Sequence, residues 1–185
     1  MQKFLDLDVT WTVANNGSVD LALHAQRNTV FPELPRFGLR LFLPQEMSQV
    51  NYYGMGPMEC YRDKHHAASH SSYTATVWQL HEDYIRPQEN GSHFDCDYVM
   101  LAGDAVRLTA VGTQPFSFNA SHYTQEELTR KAHNYELEPC GSTVLCLDYA
   151  QNGIGSESCG PRLLEQYRLD DATFNFGLRL FPEKK

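Results

Sequence analysis

Histidine and acidic side chains cluster in one short stretch of this 185-residue sequence. His65, His66 and His70 follow Asp63 closely. Imidazole is a common metal ligand, and a zinc site takes three or four ligands in fixed geometry. The spacing therefore allows a metal site with Asp63 as the fourth ligand. Because residues 62–74 are also rich in serine and alanine, we favour a long, solvated surface loop with no metal.

A second candidate chemistry is nucleophilic attack by a thiol. Cys159 lies between Ser158 and Gly160, in a segment whose glycines and proline are typical of a loop. A catalytic cysteine needs a base such as histidine beside it. The sequence places none there, so we favour a thiol without a catalytic role. The other four cysteines have irregular spacing and no C-x-x-C pair, so we expect mostly buried, reduced thiols.

Paired carboxylates would offer acid–base chemistry of the kind that cleaves glycosides, in which two acids flank the scissile bond. The candidates by residue type are Glu59, Asp63, Glu89, Asp95 and Asp97. In β-rich proteins, acids near turns usually cap the backbone or lie at the surface. We therefore expect Glu59 and Glu89 to bind loop N–H groups or neighbouring domains rather than to catalyse a reaction.

Composition excludes several classes of partner. The formal net charge of −8 disfavours binding to a nucleic-acid backbone, which requires clustered lysine and arginine. No run approaches the roughly 18 apolar residues of a membrane helix. Asp6 and Asp8 interrupt the N-terminal stretch, which therefore does not resemble a signal peptide. We expect a cytoplasmic protein, although the same start would fit a fragment of a longer chain.

The elements that must position these residues are mainly strands. Apolar residues alternate with polar ones at the N-terminus, which predicts a strand with one buried face that includes Leu5, Leu7, Val9, Trp11 and Val13. Similar alternation recurs along the chain between glycine, proline and asparagine residues, which favours an antiparallel sandwich. A capping box at residues 124–127 predicts one short helix from Gln125 to Ala132. No linker is visible, so residues 1–185 should form a single domain.

Three motifs carry a resemblance to a known family. They are Tyr-Gly-Met-Gly-Pro-Met-Glu-Cys-Tyr-Arg-Asp at 53–63, Tyr-Ile-Arg-Pro-Gln-Glu-Asn-Gly at 84–91 and Asn-Gly-Ile-Gly-Ser-Glu-Ser-Cys-Gly-Pro at 152–161. In this order they resemble the C-terminal domain (domain 5, the small-chain region) of bacterial family-2 glycoside hydrolase β-galactosidases. The resemblance implies a large antiparallel β-sandwich, the galactose mutarotase-like supersandwich. The chain would be the later part of that domain, without the strands and mobile loop of its N-terminal part.

The resemblance also implies a function. The chain would be an accessory domain of an enzyme that hydrolyses terminal β-D-galactosides such as lactose. The catalytic glutamates and a divalent metal (Mg) would belong to the catalytic domain, so this chain would hold no cofactor and no catalytic residue. Its partners would be the catalytic and N-terminal domains, in the same or a separate chain, and galactosides. Because missing strands expose sheet edges, self-association into a homo-oligomer is a further expectation.

One loop would contribute to the sugar pocket. In the family, the loop that corresponds to 151–161 reaches the active site and presents a tryptophan to the sugar. The nearest position here is Cys159, and the loop is one residue shorter, so the stacking platform is missing or supplied elsewhere. Glu157, Ser158 and Asn152 could hydrogen-bond sugar hydroxyls instead. A second departure follows Gly91: the common family pattern carries an arginine and an aromatic residue, whereas this chain has His93 and Asp97, with Tyr98 as the aromatic residue.

Two other functions remain open. A free-standing carbohydrate-binding module would stack sugars on aromatic side chains, and Trp11 and Trp78 are candidates. Trp11 lies on the apolar face of its strand, so we expect it to be buried. A mutarotase-like aldose epimerase would need a histidine acid and a glutamate base facing one pocket. Eight histidines are present, but no motif marks such a pair.

Overall fold

The computed structural model describes residues 2–152 and 161–185. In these residues nine strands form one hydrogen-bonded antiparallel sheet. A single short α-helix, α1 (Gln125–Arg130), accompanies them, with 3₁₀ turns at Val77–Leu80, Asn134–Glu136 and Glu165–Tyr167. The predicted all-β class with one short helix is confirmed. The strands are β1 (Leu5–Val13), β2 (Val19–Arg27), β3 (Arg36–Pro44), β4 (Gln49–Gly56), β5 (Ser69–Thr76), β6 (Ser92–Ala102), β7 (Val106–Ser121), β8 (Ser142–Gln151) and β9 (Thr173–Lys184).

The long strand β7 divides the sheet into two branches. Its first half, residues 106–112, pairs with β9, which leads to β2 and β1. Its second half, residues 117–121, pairs with β8, which leads to β3. The branches meet face to face through aromatic rings: Phe37 on β3 lies 4.9 Å from Phe174 on β9, and Tyr149 on β8 lies 4.6 Å from Phe174. This packing gives the β-sandwich that the sequence predicts.

Apolar side chains from both branches and from β6 form the main core. Phe118, Leu145 and Leu147 are fully buried, and Phe176 and Leu178 are 1% exposed. Each such side chain stabilises the fold by roughly 1.5–3 kcal/mol relative to an exposed one. Cys60, Cys96 and Cys146 are buried free thiols, as predicted, whereas Cys140 is exposed.

Strand β1 differs from the prediction. Its apolar row lies on the core face, because Trp11 pairs with the buried Leu21, and Val9 pairs with Leu23. The row is nevertheless uncovered: Trp11 is 50% exposed and Val13 is 72% exposed. The prediction that this face, and Trp11 with it, is buried is therefore wrong. Alternation identifies the apolar face of a strand, but β1 is the last strand of its branch and no other described layer covers it.

Residues 62–74 are also not one long loop. The second part belongs to β5, which pairs with β4 at the opposite end of the sheet. Most of its side chains are exposed serine, histidine and threonine. Because β5 lies at an edge with little apolar surface to bury, its sequence lacks the alternation that identifies a half-buried strand.

The helix begins as predicted and ends two residues earlier, at Arg130. The Thr124 hydroxyl accepts a hydrogen bond from the Glu127 N–H at 3.1 Å. The Glu127 carboxylate does not complete the box; it pairs with Arg130 and Lys131 and accepts from the Glu138 N–H at 3.1 Å. Across residues 2–152 and 161–185, no helix has the length and apolar character to cross a membrane.

Candidate functional site

The first two motifs lie together at one end of the sandwich, where Glu59 links them. Its carboxylate accepts hydrogen bonds from the Gly91 N–H at 2.8 Å and the Tyr61 hydroxyl at 3.1 Å. The Tyr84 hydroxyl donates to the other carboxylate oxygen. The hydrogen bond to Glu59, together with burial, raises the pKa of Tyr84 to about 12. The expectation that Glu59 binds a loop N–H group is confirmed, and its carboxylate closes both ends of the segment 84–91.

Asparagine side chains hold the same segment from within. Asn90 is buried, and its amide oxygen accepts from the Glu82 N–H at 3.0 Å, while its amide nitrogen donates to the Gln88 carbonyl at 2.9 Å. The Asn119 amide donates to the Asn90 carbonyl. Gly91 has a φ of +69°, and a Cβ there would lie 2.3 Å from the Leu80 carbonyl oxygen. Backbone geometry therefore requires Gly91, whereas Asn90 is held by the hydrogen bonds of its side chain.

A partly buried ion cluster joins this segment to β3 and β8. The Arg36 guanidinium binds Asp148 through Nε–Oδ1 at 2.9 Å and NH2–Oδ2 at 2.6 Å, and its third nitrogen donates to Glu89. Asp148 is 1% exposed. Burial raises the pKa of the Asp148 carboxyl, and the Arg36 charge opposes that shift. Glu89 therefore binds an arginine rather than a loop N–H group.

Small residues and amides complete the packing around this cluster. A Cβ at Gly38 would lie 2.3 Å from the Asp148 carboxylate, so only glycine leaves room for the ion pair. The Gln151 amide, at the end of β8, donates to the Ser92 hydroxyl at 2.9 Å. Ser92 directly follows the segment 84–91, and its carbonyl accepts from the Cys60 N–H at 2.8 Å. Hydrogen bonds thus connect the last residue of β8 to the first residue of β6, and that residue to Cys60 of the first motif.

Asn152 is the only described residue among the predicted sugar-binding residues; Glu157, Ser158 and Cys159 lie outside the described ranges. Its backbone N–H donates to the Pro35 carbonyl at 2.9 Å. Its side-chain amide donates to the Leu34 carbonyl at 2.9 Å and accepts from the Leu169 N–H at 2.7 Å. Asn152 therefore joins the end of β8 to Leu34 and Pro35, which precede β3, and to Leu169.

The histidines proposed for a metal site are divided between two places. The His65 and His66 rings lie 5.1 Å apart, near Phe94. His70 lies on β5, with its Nε2 atom 3.8 Å from the Asp97 carboxylate and 4.0 Å from that of Asp95. Within residues 2–152 and 161–185, no group of three or more histidine, cysteine or acidic side chains has an arrangement that could hold a metal ion.

The residues that matter to the other two functions also have defined surroundings. Trp78 is 50% exposed and contacts His122, with ring centroids 4.6 Å apart. Among the described residues, the glutamate nearest a histidine ring nitrogen is Glu136, at 3.6 Å from His133. Glu136 also accepts from the His133 backbone N–H at 3.0 Å, so this pair caps a surface turn.

No sequence motif assigned a role to Arg36, Asp148 or Asn119, and Gln151 stood out only as the start of the loop 151–161. A signal for Asp148 was available, since it interrupts the apolar run of β8 and a buried charge requires a partner. Arg36 is the first residue of the alternating stretch of β3, and Asn119 directly follows Phe118 on β7. Their partners lie far away in sequence, so alternation alone could not pair them.

The sequence is similar to those of known proteins over nearly its whole length. The family model described as β-galactosidase small chain matches residues 1–180. The chain is 46% identical over 182 residues to a β-galactosidase of Actinobacillus pleuropneumoniae, which covers 98% of this chain and 18% of the relative. It is 42% identical over 172 residues to a β-galactosidase of Staphylococcus xylosus, covering 93% of this chain and 17% of the relative. It is 34% identical over 169 residues to a β-galactosidase of Arthrobacter sp. (strain B7), covering 88% of this chain and 16% of the relative.

The chain thus spans less than a fifth of the length of these relatives, while they cover nearly all of it. The matched range includes the three motifs and the strands between them. The chain belongs to the β-galactosidase small chain family.

Proposed function

We propose that this chain is an accessory domain of a β-galactosidase, an enzyme that hydrolyses terminal β-D-galactosides in carbohydrate catabolism. The observation that carries the proposal is the family match over residues 1–180 in a chain that corresponds to 18% of a relative's length. In this proposal, residues 1–185 are one domain, the later part of the C-terminal small-chain domain. The catalytic and N-terminal domains are its partners, in the same or a separate chain.

The hydrogen bonds of Glu59 and Glu89 favour a structural role for this domain. Glu59 is engaged by a backbone N–H and two tyrosine hydroxyls, and Glu89 is engaged by Arg36. These carboxylates stabilise loops, which fits a domain that presents a fixed surface to others. The two acids that cleave the glycosidic bond, and a divalent metal such as Mg²⁺, would belong to the catalytic domain.

The contribution to the sugar pocket would come from residues 152–161. Cys159, Ser158 and Glu157 are the proposed galactoside contacts, with Asn152 at the start of the segment. The three hydrogen bonds of Asn152 to Leu34, Pro35 and Leu169 give this segment a fixed origin. In the same proposal the enzyme is cytoplasmic, and the isolated chain self-associates through exposed sheet edges.

Fragment complementation tests the proposal. The chain is mixed with a β-galactosidase large part that lacks the corresponding region, and hydrolysis of a chromogenic galactoside is recorded. We expect each component alone to be inactive and the mixture to hydrolyse the substrate. Turnover by the pure chain, in proportion to its concentration, would contradict an accessory role.

A carbohydrate-binding module is the second candidate, and the exposure of Trp78 favours it. The half-exposed indole lies beside His122 and Tyr123, which gives an aromatic surface on which a sugar ring can stack. Galactose or lactose would change the fluorescence of a W11F variant, whose remaining tryptophan is Trp78. The matched W78F variant, which retains the equally exposed Trp11, should not respond.

A further inference from the structure

The free edge of β1 carries the largest exposed apolar row of a described strand. Leu7, Val9, Trp11 and Val13 are between 44% and 72% exposed, on the face that buries Leu21 and Leu23 in the next strand. Strand β1 pairs with β2 on one side and ends its branch of the sheet on the other. Such an edge offers both unpaired backbone groups and apolar side chains to another strand.

The direction of the unpaired backbone groups follows from the two ends of the β1–β2 hairpin. The Ala14 N–H donates to the Ser18 carbonyl at 2.9 Å, and the Asn28 N–H donates to the Phe4 carbonyl at 2.9 Å. Hydrogen-bonded and non-hydrogen-bonded pairs alternate along an antiparallel ladder. The even-numbered residues of β1 therefore bond to β2, and the odd-numbered residues direct their N–H and C=O groups to the free edge.

We propose that two copies of this chain associate by antiparallel pairing of β1 with β1, centred on Val9. This strand runs from Leu5 to Val13, so Val9 is its midpoint and the two strands overlap along their whole length. The odd-numbered residues supply the hydrogen bonds, which places Leu7 opposite Trp11 of the second copy. The apolar rows of the two copies then lie side by side on one face.

Charge selects this register over its neighbours. Pairing centred on Val9 places Asp8 opposite Thr10 and Asp6 opposite Thr12 of the second copy. Pairing centred on Leu7 would place Asp6 directly opposite Asp8, and like charges in that position destabilise a sheet. A centre on Trp11 would leave the first residues of the strand unpaired.

The other free edges are less suited to self-pairing. Strand β3 has Arg40 at its midpoint, so full overlap of two copies would place two arginines opposite each other, and Pro44 at its end lacks an N–H group. Strand β5 presents mostly exposed polar side chains and would bury little apolar area. Among the edges that the structure describes, β1 combines apolar surface with a charge pattern that suits a second copy.

This inference deepens the self-association in the proposed function but does not depend on β-galactosidase activity. It concerns the chain as a separate polypeptide. In the whole enzyme, another part of the β-galactosidase could cover the apolar row of β1 instead of a second copy. Complementation can therefore succeed whether or not the isolated chain dimerises. The two ideas are therefore tested by different measurements.

Sedimentation equilibrium over a range of protein concentrations, with matched changes at Thr10, tests the dimer. Within the chain Thr10 pairs with Ala22, so a new charge there meets none directly opposite in its own sheet. In the dimer the side chain faces Asp8 of the second copy, and this pair occurs twice. We expect T10K to lower the dimer dissociation constant about threefold to thirtyfold, T10D to raise it by a similar factor, and T10S to leave it nearly unchanged.

A second variant tests the backbone pairing. V9P removes an N–H group that points to the free edge and leaves the β2 ladder intact, so we expect a folded monomer. The proposal is overturned if the wild-type chain stays monomeric up to about 100 μM. This holds even if the chain forms a stable complex with the β-galactosidase large part, because the large part would then be the partner of the apolar row. A dimer whose dissociation constant responds equally to T10K and T10D would also overturn it, and this outcome does not depend on whether V9P folds.

Discussion

The Glu59 carboxylate accepts a hydrogen bond from the Gly91 N–H at 2.8 Å, across 32 residues of sequence. One acidic side chain of the first motif thus fixes the last residue of the second. The same carboxylate holds the Tyr84 hydroxyl at the other end of that motif. Glu59 therefore joins the first two motifs into one corner of the sandwich, the motif corner.

Removing the Glu59 acceptor should loosen this corner. E59A leaves the Gly91 N–H and two tyrosine hydroxyls without their partner, and we expect a loss of about 2–3 kcal/mol in the free energy of unfolding. E59Q retains one acceptor oxygen and should lose less. Urea unfolding followed by circular dichroism measures both, and a loss below about 0.5 kcal/mol for E59A would contradict the assigned role.

Substitutions of Arg36 and Asp148 should have non-additive effects on the free energy of unfolding. R36M leaves a buried carboxylate without its counter-ion and should cost about 3–5 kcal/mol. R36K should also destabilise the fold, because lysine cannot make both hydrogen bonds to Asp148. The double variant R36M/D148L removes both charges and should be markedly more stable than R36M alone. Additive losses in the double-mutant cycle would show that the two side chains act independently.

Two glycines with positive φ separate backbone strain from steric conflict. Gly17 has a φ of +83° and open space around it, whereas a Cβ at Gly91 would meet the Leu80 carbonyl at 2.3 Å. G17A should therefore cost about 1–2 kcal/mol, from the left-handed conformation alone. G91A carries the clash as well and should cost clearly more. Thermal unfolding compares the pair, and equal losses would remove the steric explanation.

Acid should destabilise the chain through His93. This ring is 1% exposed, its Nδ1 atom lies 3.1 Å from the Tyr52 hydroxyl, and burial lowers its pKa to about 4. The unfolded state, with a histidine pKa near 6.5, binds the proton first as the pH falls. Stability is therefore full above about pH 6.5 and declines towards pH 4, by about 3 kcal/mol from this residue.

The matched variant for this pH dependence is H93F, which keeps an aromatic ring beside Phe118 and Tyr52 and removes the titrating group. Its stability should fall less steeply between pH 6.5 and pH 4 than that of the wild type. Parallel stability curves for the two proteins over this interval would assign the acid sensitivity to other groups.

The sequence predicted the fold class because alternation and turn residues are local signals. It also predicted α1 from the Thr124 cap, and the helix begins at that residue's neighbour. It failed for β1 because alternation cannot report whether a second layer covers the apolar face. It failed for β5 because an edge strand with polar side chains leaves no periodic signal.

The motif corner was predictable only in part. Glu59 was expected to bind a loop N–H group, because acids near turns commonly do so, and it binds Gly91. The Arg36–Asp148–Glu89 cluster was not anticipated, since its members come from β3, β8 and a loop that are distant in sequence. An acid within the apolar run of β8 indicates that a partner must exist, but only the strand pairing identifies it.

The most direct test of the accessory-domain account is a stoichiometric titration of the chain into a fixed amount of β-galactosidase large part that lacks this region. We expect galactoside hydrolysis to rise and to saturate at one chain per large part, with wild-type chain more effective than the loosened E59A variant. Absence of any gain, with both components shown to be folded, would contradict the account and transfer support to the carbohydrate-binding alternative.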